Sequence, residues 1–458
     1  MRAARPQRAG AWRGLPRRLD LAREPADRAL PRGGGGSRIG GRLVTAGGPL
    51  ADLRVVELAG EQGQWCGRLL ADLGADVIKV EPPGGAPERE VGPWYRDEPH
   101  PERSLSFWHY NSGKRAITLD IESAEGAAVL RRLVAGADVF LETQRPGRLA
   151  SLGLGPDELR DADQRLIYCS LTPFGQDGPW RDFRTTDLVQ LAAGGQMAQC
   201  GYDEEDYPDA PPIAPGGGNA WHIGSHFALV AISAALVYRD MSGEGQHLDV
   251  SIHEACSLTT ESAIPTYFST GRVVRRQTGR HSAWSMPRPR TQYLCKDGKY
   301  INAMFNQRIS PERVRIFAEW MDEYGAADDL LDERYRDAQV VAESQEHIAD
   351  VLHAFFPQIT AEEAYRGAQE RGLPWGAVRS VDEILTDPHW EDRGYWVDVE
   401  HPELGESFRY PGIWGRYSDS PLAITRRAPL VGEHTAEVLT ELGLDAAEIE
   451  SLRPGGAI

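Results

Sequence analysis

Residues 216–239, GGGNAWHIGSHFALVAISAALVYR, place aromatic and imidazole side chains at the entrance to a long apolar stretch. His222 follows a glycine run, where we expect a helix to begin. A neutral imidazole there can act as a general base, or as a nucleophile through an acyl-imidazole. The alternative is a structural histidine that bonds a loop carbonyl. His226 is one turn further on, but no further ligands complete a metal site, so we expect no metal.

The elements that must position these groups alternate between strand and helix. A strand at 52–60 (DLRVVELAG), a helix at 65–75 and a strand DVIKVEPPGG predict a βαβ unit. Strands at 114–121, 138–143 and 165–171, with a helix at 123–137, continue the pattern. The pattern indicates an α/β fold, in which a Rossmann-like parallel sheet carries helices on both faces. The turn LAGEQGQ lacks the G-x-G-x-x-G spacing, so NAD binding is not supported.

Changes in composition and in predicted secondary structure along the chain suggest four segments. Residues 1–48 are rich in Arg, Gly and Pro and predict a disordered extension. Residues 49–255 predict the first part of the large domain, and 256–387 a smaller α+β domain with a hairpin around Asp297-Gly298. Residues 388–458, with a strand-like 409–417 and two helices, are expected to return to the large domain.

Charge and cysteine usage narrow the class of protein. Residues 1–48 carry 11 arginines against three acidic residues, a net charge of +8. The whole chain has a net charge of −18, so the other 410 residues carry −26. A body so acidic disfavours nucleic acid and anionic membranes as partners. The five cysteines are odd in number and form no CxxC pair, which is typical of a reducing cytoplasm.

Six ordered blocks resemble the class III (CaiB/BaiF-type) CoA transferases, the family of formyl-CoA, carnitine-CoA and bile-acid-CoA transferases and of α-methylacyl-CoA racemase. The blocks are PLADLRVVELAGEQGQWCGRLLADLGADVIKVEPPGG, NSGKRAITLDIES, GADVFLETQRPGRLASLGLG, RLIYCSLTPFGQDGPW, SGEGQHLDVSIHEA and RRAPLVGEHTAEVLTELGL. The resemblance implies a large domain built from both ends of the chain and a smaller domain between them. It also implies an interlocked homodimer that binds coenzyme A thioesters near the domain boundary.

The resemblance implies a set of residues around coenzyme A. These are Glu61, Gln62, Pro82, Leu119 to Glu122 (including Asp120), Thr143, Gln144, Arg145, Arg184, Thr185, Thr186 and Asp187. Arg145 and Arg184 are candidate phosphate partners, because a guanidinium fork matches phosphate oxygens, although either could be an ordinary surface arginine. Pro82 stands where some relatives carry an arginine that stacks on adenine.

In the transferases of this family, catalysis depends on one aspartate. It attacks the donor thioester to give a mixed anhydride and then carries CoA as an aspartyl thioester. Counting back from Leu236 places that aspartate at Trp221, and no acidic residue occurs between Ala210 and Tyr238. The racemase reaction needs a histidine directly before Asp187, and Thr186 stands there instead. We therefore expect no racemase.

Three residues are candidates for the missing nucleophile or base, and each could instead have a structural role. Asp187 is the acid that best matches the family, or else a backbone-capping residue. His222 lies beside the vacant position. Glu61 is either a displaced base or a solvated charge. Trp221, at the vacant position itself, could fill the space of the missing carboxylate, stack on the acyl group or pack in the core.

Three functions are compatible with these residues. The first is CoA transfer between an acyl-CoA and a carboxylic acid. The second is an isomerase, hydrolase or lyase acting on acyl-CoA through His222 or Asp187. The third is a noncatalytic CoA-binding homologue that pairs with an active relative.

Overall fold

The structure, a computed structural model, describes residues 47–203, 207–260, 262–279, 289–303 and 309–458 and two short strands near the N-terminus. These strands, Arg38–Ile39 and Arg42–Leu43, pair antiparallel within the unit Met1–Ala46. A second compact unit comprises Gly47–Ile458. Apart from the two strands and residues 47–48, the predicted disordered extension lies outside the described residues.

Six parallel strands form the main sheet of the second unit. They are β1 (Arg54–Leu58), β2 (Asp76–Glu81), β3 (Arg115–Thr118), β4 (Val139–Glu142), β5 (Ile167–Thr172) and β6 (His247–Ser251). Their order in the sheet is β3-β2-β1-β4-β5-β6, which is the Rossmann order. The predicted α/β fold is therefore confirmed, and the strand order reverses between β1 and β4.

Helices cover both faces of this sheet. In chain order they are α1 (Gln64–Asp72), α2 (Leu105–Asn111), α3 (Ala124–Val134), α4 (Arg148–Ser151), α5 (Pro156–Ala162), α6 (Asp187–Ala193), α7 (Asn219–Ser242), α8 (Ile252–Leu258) and α9 (Ala263–Thr270). Val55 and Leu70 share one buried core with Ile232 of α7, on one face. On the other face, Val56 packs in a core with Leu130 of α3. This alternation along β1 is what a strand buried on both faces requires.

Short antiparallel sheets and a second helical layer follow. Strands β7 (Gln292–Leu294), β8 (Tyr300–Ala303) and β9 (Trp375–Ala377) pair in the order β9-β8-β7, beside helices α10 (Pro311–Asp322), α11 (Ala338–Glu343), α12 (Gln345–Phe355) and α13 (Ala361–Glu370). They enclose a separate core that includes Phe317, Trp320 and Phe356. The predicted hairpin at Asp297-Gly298 is the β7–β8 connection.

The C-terminal part completes the fold. Helices α14 (Val381–Leu385) and α15 (Pro388–Asp392) precede the hairpin β10 (Trp396–His401) and β11 (Glu406–Pro411), and α16 (Thr435–Glu441) and α17 (Ala446–Leu452) end the chain. Val438 and Leu439 of α16 lie in the same core as Val56 of β1. The two ends of this unit thus share one core.

Several strands are shorter than the sequence predicts. β1 and β3 end at Leu58 and Thr118, since the residues that follow turn away to form loops beyond the sheet edge. The C-terminal strand begins at Glu406 and ends at Pro411, so the prediction of strand at 409–417 is wrong beyond that proline. One described helix, α7, is long and apolar enough to cross a membrane, although residues of it such as Ala228 and Ile232 are fully buried against the sheet.

Candidate functional site

A cleft of about 520 Å³ lies at the carboxyl ends of β1, β2, β3 and β4. We call it the strand-end cleft. Its walls include nine residues that the sequence analysis assigned to coenzyme A or catalysis: Glu61, Gln62, Pro82, Leu119, Asp120, Ile121, Glu122, Thr143 and Gln144. Ligands of open α/β sheets bind at this edge, where the strand order reverses. The strand-end cleft is therefore the candidate binding site for a nucleotide-like ligand.

The loops after β1 and β4 hold each other in place at this reversal. The Gly60 amide donates to Thr143 Oγ1 at 3.0 Å, and Gln144 Nε2 donates to the Leu58 carbonyl at 3.4 Å. The Gln144 amide also donates to Glu142 Oε2 at 2.6 Å. Gln62 contributes a buried Oε1 that has no hydrogen-bond partner within the described part of the chain. Such an orphaned acceptor is suited to a donor group on a ligand.

Burial shifts the titration of the acid behind Thr143. Burial raises the pKa of Glu142 to about 7, and the nearby Asp249 adds to the rise, while hydrogen bonds from Ser170 and the Gln144 amide oppose it. The strand-end cleft thus has a protonatable carboxyl directly beneath one wall.

Arg148 supplies the guanidinium of the strand-end cleft. Arg148 lines the cleft and its Nη2 pairs with Glu122 Oε1 at 2.5 Å. Arg145 and Arg184 are exposed and do not line this cleft, so their assignment as phosphate partners stays a prediction. The turn at Gly147, with φ of 82°, separates Arg145 from α4, which begins with Arg148.

The loop before α6 has a structural arrangement of its own. Thr186 caps α6, since its hydroxyl accepts a hydrogen bond from the Val189 amide, and Thr185 Oγ1 accepts one from Gln190 Nε2 at 3.0 Å. Neither threonine lines the strand-end cleft, and their expected contact with coenzyme A stays a prediction. Both order the residue that follows them, Asp187.

Asp187 lies between two helix N-termini. It is the first residue of α6, and its Oδ1 accepts a hydrogen bond of 2.7 Å from the Ala220 amide in the first turn of α7. Within the described residues, no hydrogen bond to Asp187 Oδ2 is found. Two helix N-termini favour a negative charge at this place. Asp187 thus stands beside Ala220, the residue directly before Trp221, to which counting along the chain assigned the family aspartate.

A second, smaller cavity adjoins the strand-end cleft. This aromatic pocket has a volume of about 240 Å³, and its walls include Trp65, Tyr110, Trp221 and His222. Glu61 and Glu88 line both cavities, and the Glu61 amide donates to Glu88 Oε1 at 2.9 Å. A ligand in the strand-end cleft can therefore extend past this pair into the aromatic pocket.

His222 is held by a side chain rather than by a loop carbonyl. Its Nε2 lies 2.9 Å from the Tyr110 hydroxyl, and its ring lies 5.4 Å from that of Trp65. Burial lowers the pKa of His222, His226 lowers it further and Asp187 opposes the shift. The neutral ring expected from the sequence is supported, although burial rather than the helix dipole is the main cause. His226 also faces Trp65, which donates to its Nε2 at 3.3 Å.

Trp221 belongs to both the core and the pocket. It is 5% exposed, it packs in the core beneath α7, and its Nε1 has no hydrogen-bond partner in the described residues. Trp221 therefore packs in the core and also lines the aromatic pocket. The amide of Ala220, the residue before it, donates to Asp187 Oδ1.

Sequence reasoning missed Arg148 and most of the aromatic pocket. Arg148 is visible three residues after Arg145 in the block TQRPGR, but the intervening turn cannot be oriented from sequence. Trp65 falls in QWCGR, inside the first block that carries the resemblance, and Tyr110 falls in FWHYN, directly before the second. Only the packing of α1, α2 and α7 brings them together with His222.

One group among the described residues has the ligand types for a metal ion. Ligand atoms of Asp328, Asp329 and His347 lie within 4.8 Å of one another. Asp329 is already bonded to His347 Nε2 at 2.7 Å and to Arg334. The group includes none of the residues of the strand-end cleft or the aromatic pocket.

Comparison with known proteins decides the family. The model of CoA-transferase family III matches residues 50–435. The chain belongs to CoA-transferase family III. This family transfers CoA between acyl-CoA thioesters and carboxylic acids, so the protein is a class III CoA transferase.

Three characterised relatives are similar along nearly their whole length. A subunit of succinyl-CoA:(R)-benzylsuccinate CoA-transferase from Thauera aromatica is 33% identical, covering 88% of this chain and 97% of the relative. Succinyl-CoA–D-citramalate CoA-transferase from Chloroflexus aurantiacus is 34% identical, covering 88% and 97%. Succinate–glutarate CoA-transferase from Agrobacterium fabrum is 34% identical, covering 86% and 96%.

A solved structure supports the fold of this CoA transferase. A CaiB/BaiF family protein from Brucella suis superimposes with a TM-score of 0.72 at 30% identity, covering 86% of this chain and all of that one. The Rossmann-like order of the sheet therefore agrees with that of an experimentally determined family member.

Proposed function

We propose that this CoA transferase works through Asp187 as its covalent nucleophile, with coenzyme A in the strand-end cleft and the acyl group in the aromatic pocket. The observation that carries the proposal is the Asp187 carboxylate, bonded to Ala220 between two helix N-termini beside His222. Trp221 and His222, which follow Ala220, form a wall of the pocket. The carboxylate is thus next to the pocket that adjoins the cleft.

The reaction then proceeds through four acyl exchanges at three carbonyl carbons, those of the donor, Asp187 and the acceptor. An Asp187 oxygen attacks the thioester carbonyl, the C–S bond breaks, and CoA thiolate leaves an acyl-aspartyl anhydride. The thiolate attacks the aspartyl carbonyl and expels the first carboxylate product. The acceptor carboxylate attacks this aspartyl thioester, and the thiolate then attacks the acceptor carbonyl of the new anhydride, which restores Asp187.

The neighbours of Asp187 have supporting roles in this proposal. The Ala220 amide orients one carboxylate oxygen, and Gln62 Oε1 lies in the wall of the strand-end cleft as an acceptor for a CoA donor group. Arg148 is the guanidinium in position for a phosphate oxygen. Tyr110 and His222, which bond each other, close the far side of the aromatic pocket and limit water.

The nucleophile is tested by Asp187→Asn. Asparagine retains an oxygen for the Ala220 amide but cannot form the anhydride, so we expect the transfer rate to fall at least about a thousandfold. Hydroxylamine treatment followed by mass spectrometry of the wild-type protein incubated with acyl-CoA should place the hydroxamate on Asp187.

Asp249→Asn is the matched control for that variant. Asp249 also accepts a backbone bond, from the Gln176 amide at 3.0 Å, but lines neither cavity. Transfer should survive in this control. Normal transfer by Asp187→Asn, or an adduct on another residue, would contradict the assignment.

Three further features of the family are proposed for this chain. The separate cores support the division into 49–255 with 388–458 as a large domain and 256–387 as a smaller one. An exposed apolar face on α7 supports a homodimer. Five free cysteines, of which four are buried, support a reducing cytoplasmic location.

A further inference from the structure

The aromatic pocket has a lining that bears on which acyl groups it accepts, provided that the proposed function is right. Its ring-bearing walls come from three helices: Trp65 from α1, Tyr110 from α2, and Trp221 and His222 from α7. The ring of Trp65 lies 5.8 Å from that of Tyr110, edge-on, and 5.4 Å from that of His222. Ring faces and edges at these spacings favour a flat, apolar guest.

The charges on the walls all have one sign. None of the lining residues is a lysine or arginine, and the ionisable acids among them are Glu61 and Glu88. Burial keeps the His222 imidazole neutral by lowering its pKa. A free carboxylate on the acyl chain would therefore lose water and meet two carboxylates without a cation, which is costly.

The size of the pocket suits one ring with a short arm. A cavity of about 150 Å³ in another protein holds benzene, so a volume near 240 Å³ leaves room for a ring and a few further atoms. Among the donors of the lining residues, Trp221 Nε1 is buried and has no partner among the described residues. A single neutral acceptor, such as a carbonyl oxygen, can satisfy it.

We propose that the aromatic pocket selects an uncharged acyl group with a planar ring and disfavours acyl groups that carry a second carboxylate. This specificity differs from that of the relatives named for succinate, citramalate and glutarate. Opposite specificity on one fold follows from a local change in the pocket walls.

Matched donors separate charge from shape. Transfer is measured with the full-length protein and four donors: succinyl-CoA, butyryl-CoA, phenylacetyl-CoA and cyclohexylacetyl-CoA. Butyryl-CoA should exceed succinyl-CoA in kcat/KM by about tenfold or more, because the two differ in the terminal carboxylate. Phenylacetyl-CoA should exceed cyclohexylacetyl-CoA because only the aromatic ring is flat.

A designed cation tests the cause. Val91 lines the aromatic pocket and is 50% exposed, so Val91→Lys places an ammonium at the rim without disturbing a core. We expect it to raise the ratio of kcat/KM for succinyl-CoA to kcat/KM for butyryl-CoA about tenfold. Val381→Lys, at an exposed position on α14 outside both cavities, should leave this ratio unchanged.

The possible outcomes distinguish this inference from the proposed function. If phenylacetyl-CoA and butyryl-CoA form an Asp187 adduct and succinyl-CoA does so at least tenfold more slowly, the inference stands. If succinyl-CoA forms the adduct fastest in the wild-type protein, the specificity inference is overturned while Asp187 remains the nucleophile. If no donor forms an adduct on Asp187, the proposed function itself fails and the inference falls with it.

Discussion

Glu142 ends β4 directly before Thr143, and its side chain is buried with only two neighbours that stabilise its charge. A carboxyl that titrates near 4.5 in the unfolded chain and near 7 in the folded protein keeps its proton longer when folded. The folded state therefore binds more protons between these values, and stability falls as the pH rises through this window. Above pH 7 the full penalty, about 3 kcal/mol, is present.

Glu142→Gln should remove this pH dependence. The glutamine carries no charge and keeps an oxygen for the Gln144 amide. We expect the free energy of unfolding of the variant, relative to wild type, to increase by up to about 3 kcal/mol between pH 5 and pH 8, measured by urea denaturation. The exposed Glu125→Gln should show no such trend, and parallel curves for wild type and Glu142→Gln would refute the burial argument.

The residue scale also shows where sequence reasoning stops. The resemblance implied Gln62, Thr143 and Gln144 around coenzyme A, and they line one cleft because the ends of parallel strands meet at one edge. The sequence could not show that Arg148 lines the cleft while Arg145 does not, because a turn lies between them. Asp187 contacts α7 across 33 residues of chain, and counting along α7 alone cannot reveal that contact.

At the scale of elements, α1 is attached to the sheet through a buried ion cluster. Glu57 of β1 is fully buried and pairs with Lys79 at 3.1 Å and with Lys114 at 2.7 Å. Burial lowers the pKa of Lys114 to about 8, and Lys79 lowers it further, although Glu57 opposes the shift. A Cβ on Gly67 of α1 would lie 1.6 Å from Glu57 Oε2. The glycine thus lets α1 lie directly over the cluster.

Gly67→Ala should therefore be strongly destabilising. The methyl group displaces Glu57 and leaves buried ammonium groups incompletely paired, which costs roughly 3–5 kcal/mol. Urea unfolding measures this loss. Gly136→Ala is the matched control, because its Cβ would meet nothing closer than 3.7 Å, and a change there of more than about 1 kcal/mol would be unexpected. Equal stability of the two variants would contradict the close approach of α1.

The order of the elements was more predictable than their contacts. Alternating strands and helices indicated the parallel sheet, because right-handed crossovers leave few arrangements. The stacking of Trp65 on His109, with ring centroids 5.7 Å apart, depends on how α1 packs on α2. The periodicity of the sequence does not reveal the angle between these two helices. The sequence therefore predicted the fold of the protein but not the aromatic pocket.

At the scale of the whole molecule, α7 presents two different sides. Ala228, Ile232 and Ala235 are fully buried on the sheet, whereas Val230 and Met241 are 66% and 84% exposed. The spacing 230, 237, 241 places exposed apolar residues on one helix face. A 24-residue apolar helix with one side already packed on the protein suits a second protein surface better than a bilayer.

The proposed homodimer predicts that this face is covered in solution. Light scattering during size-exclusion chromatography should give twice the chain mass at micromolar concentration. Val237→Asp and Met241→Asp should each raise the dimer Kd at least about tenfold, because a buried carboxylate would face an apolar surface. Val381→Asp is the control, since Val381 is 76% exposed on α14 and outside the face. A wild-type monomer, or a dimer that tolerates both substitutions on α7, would show that the two copies do not meet through this helix.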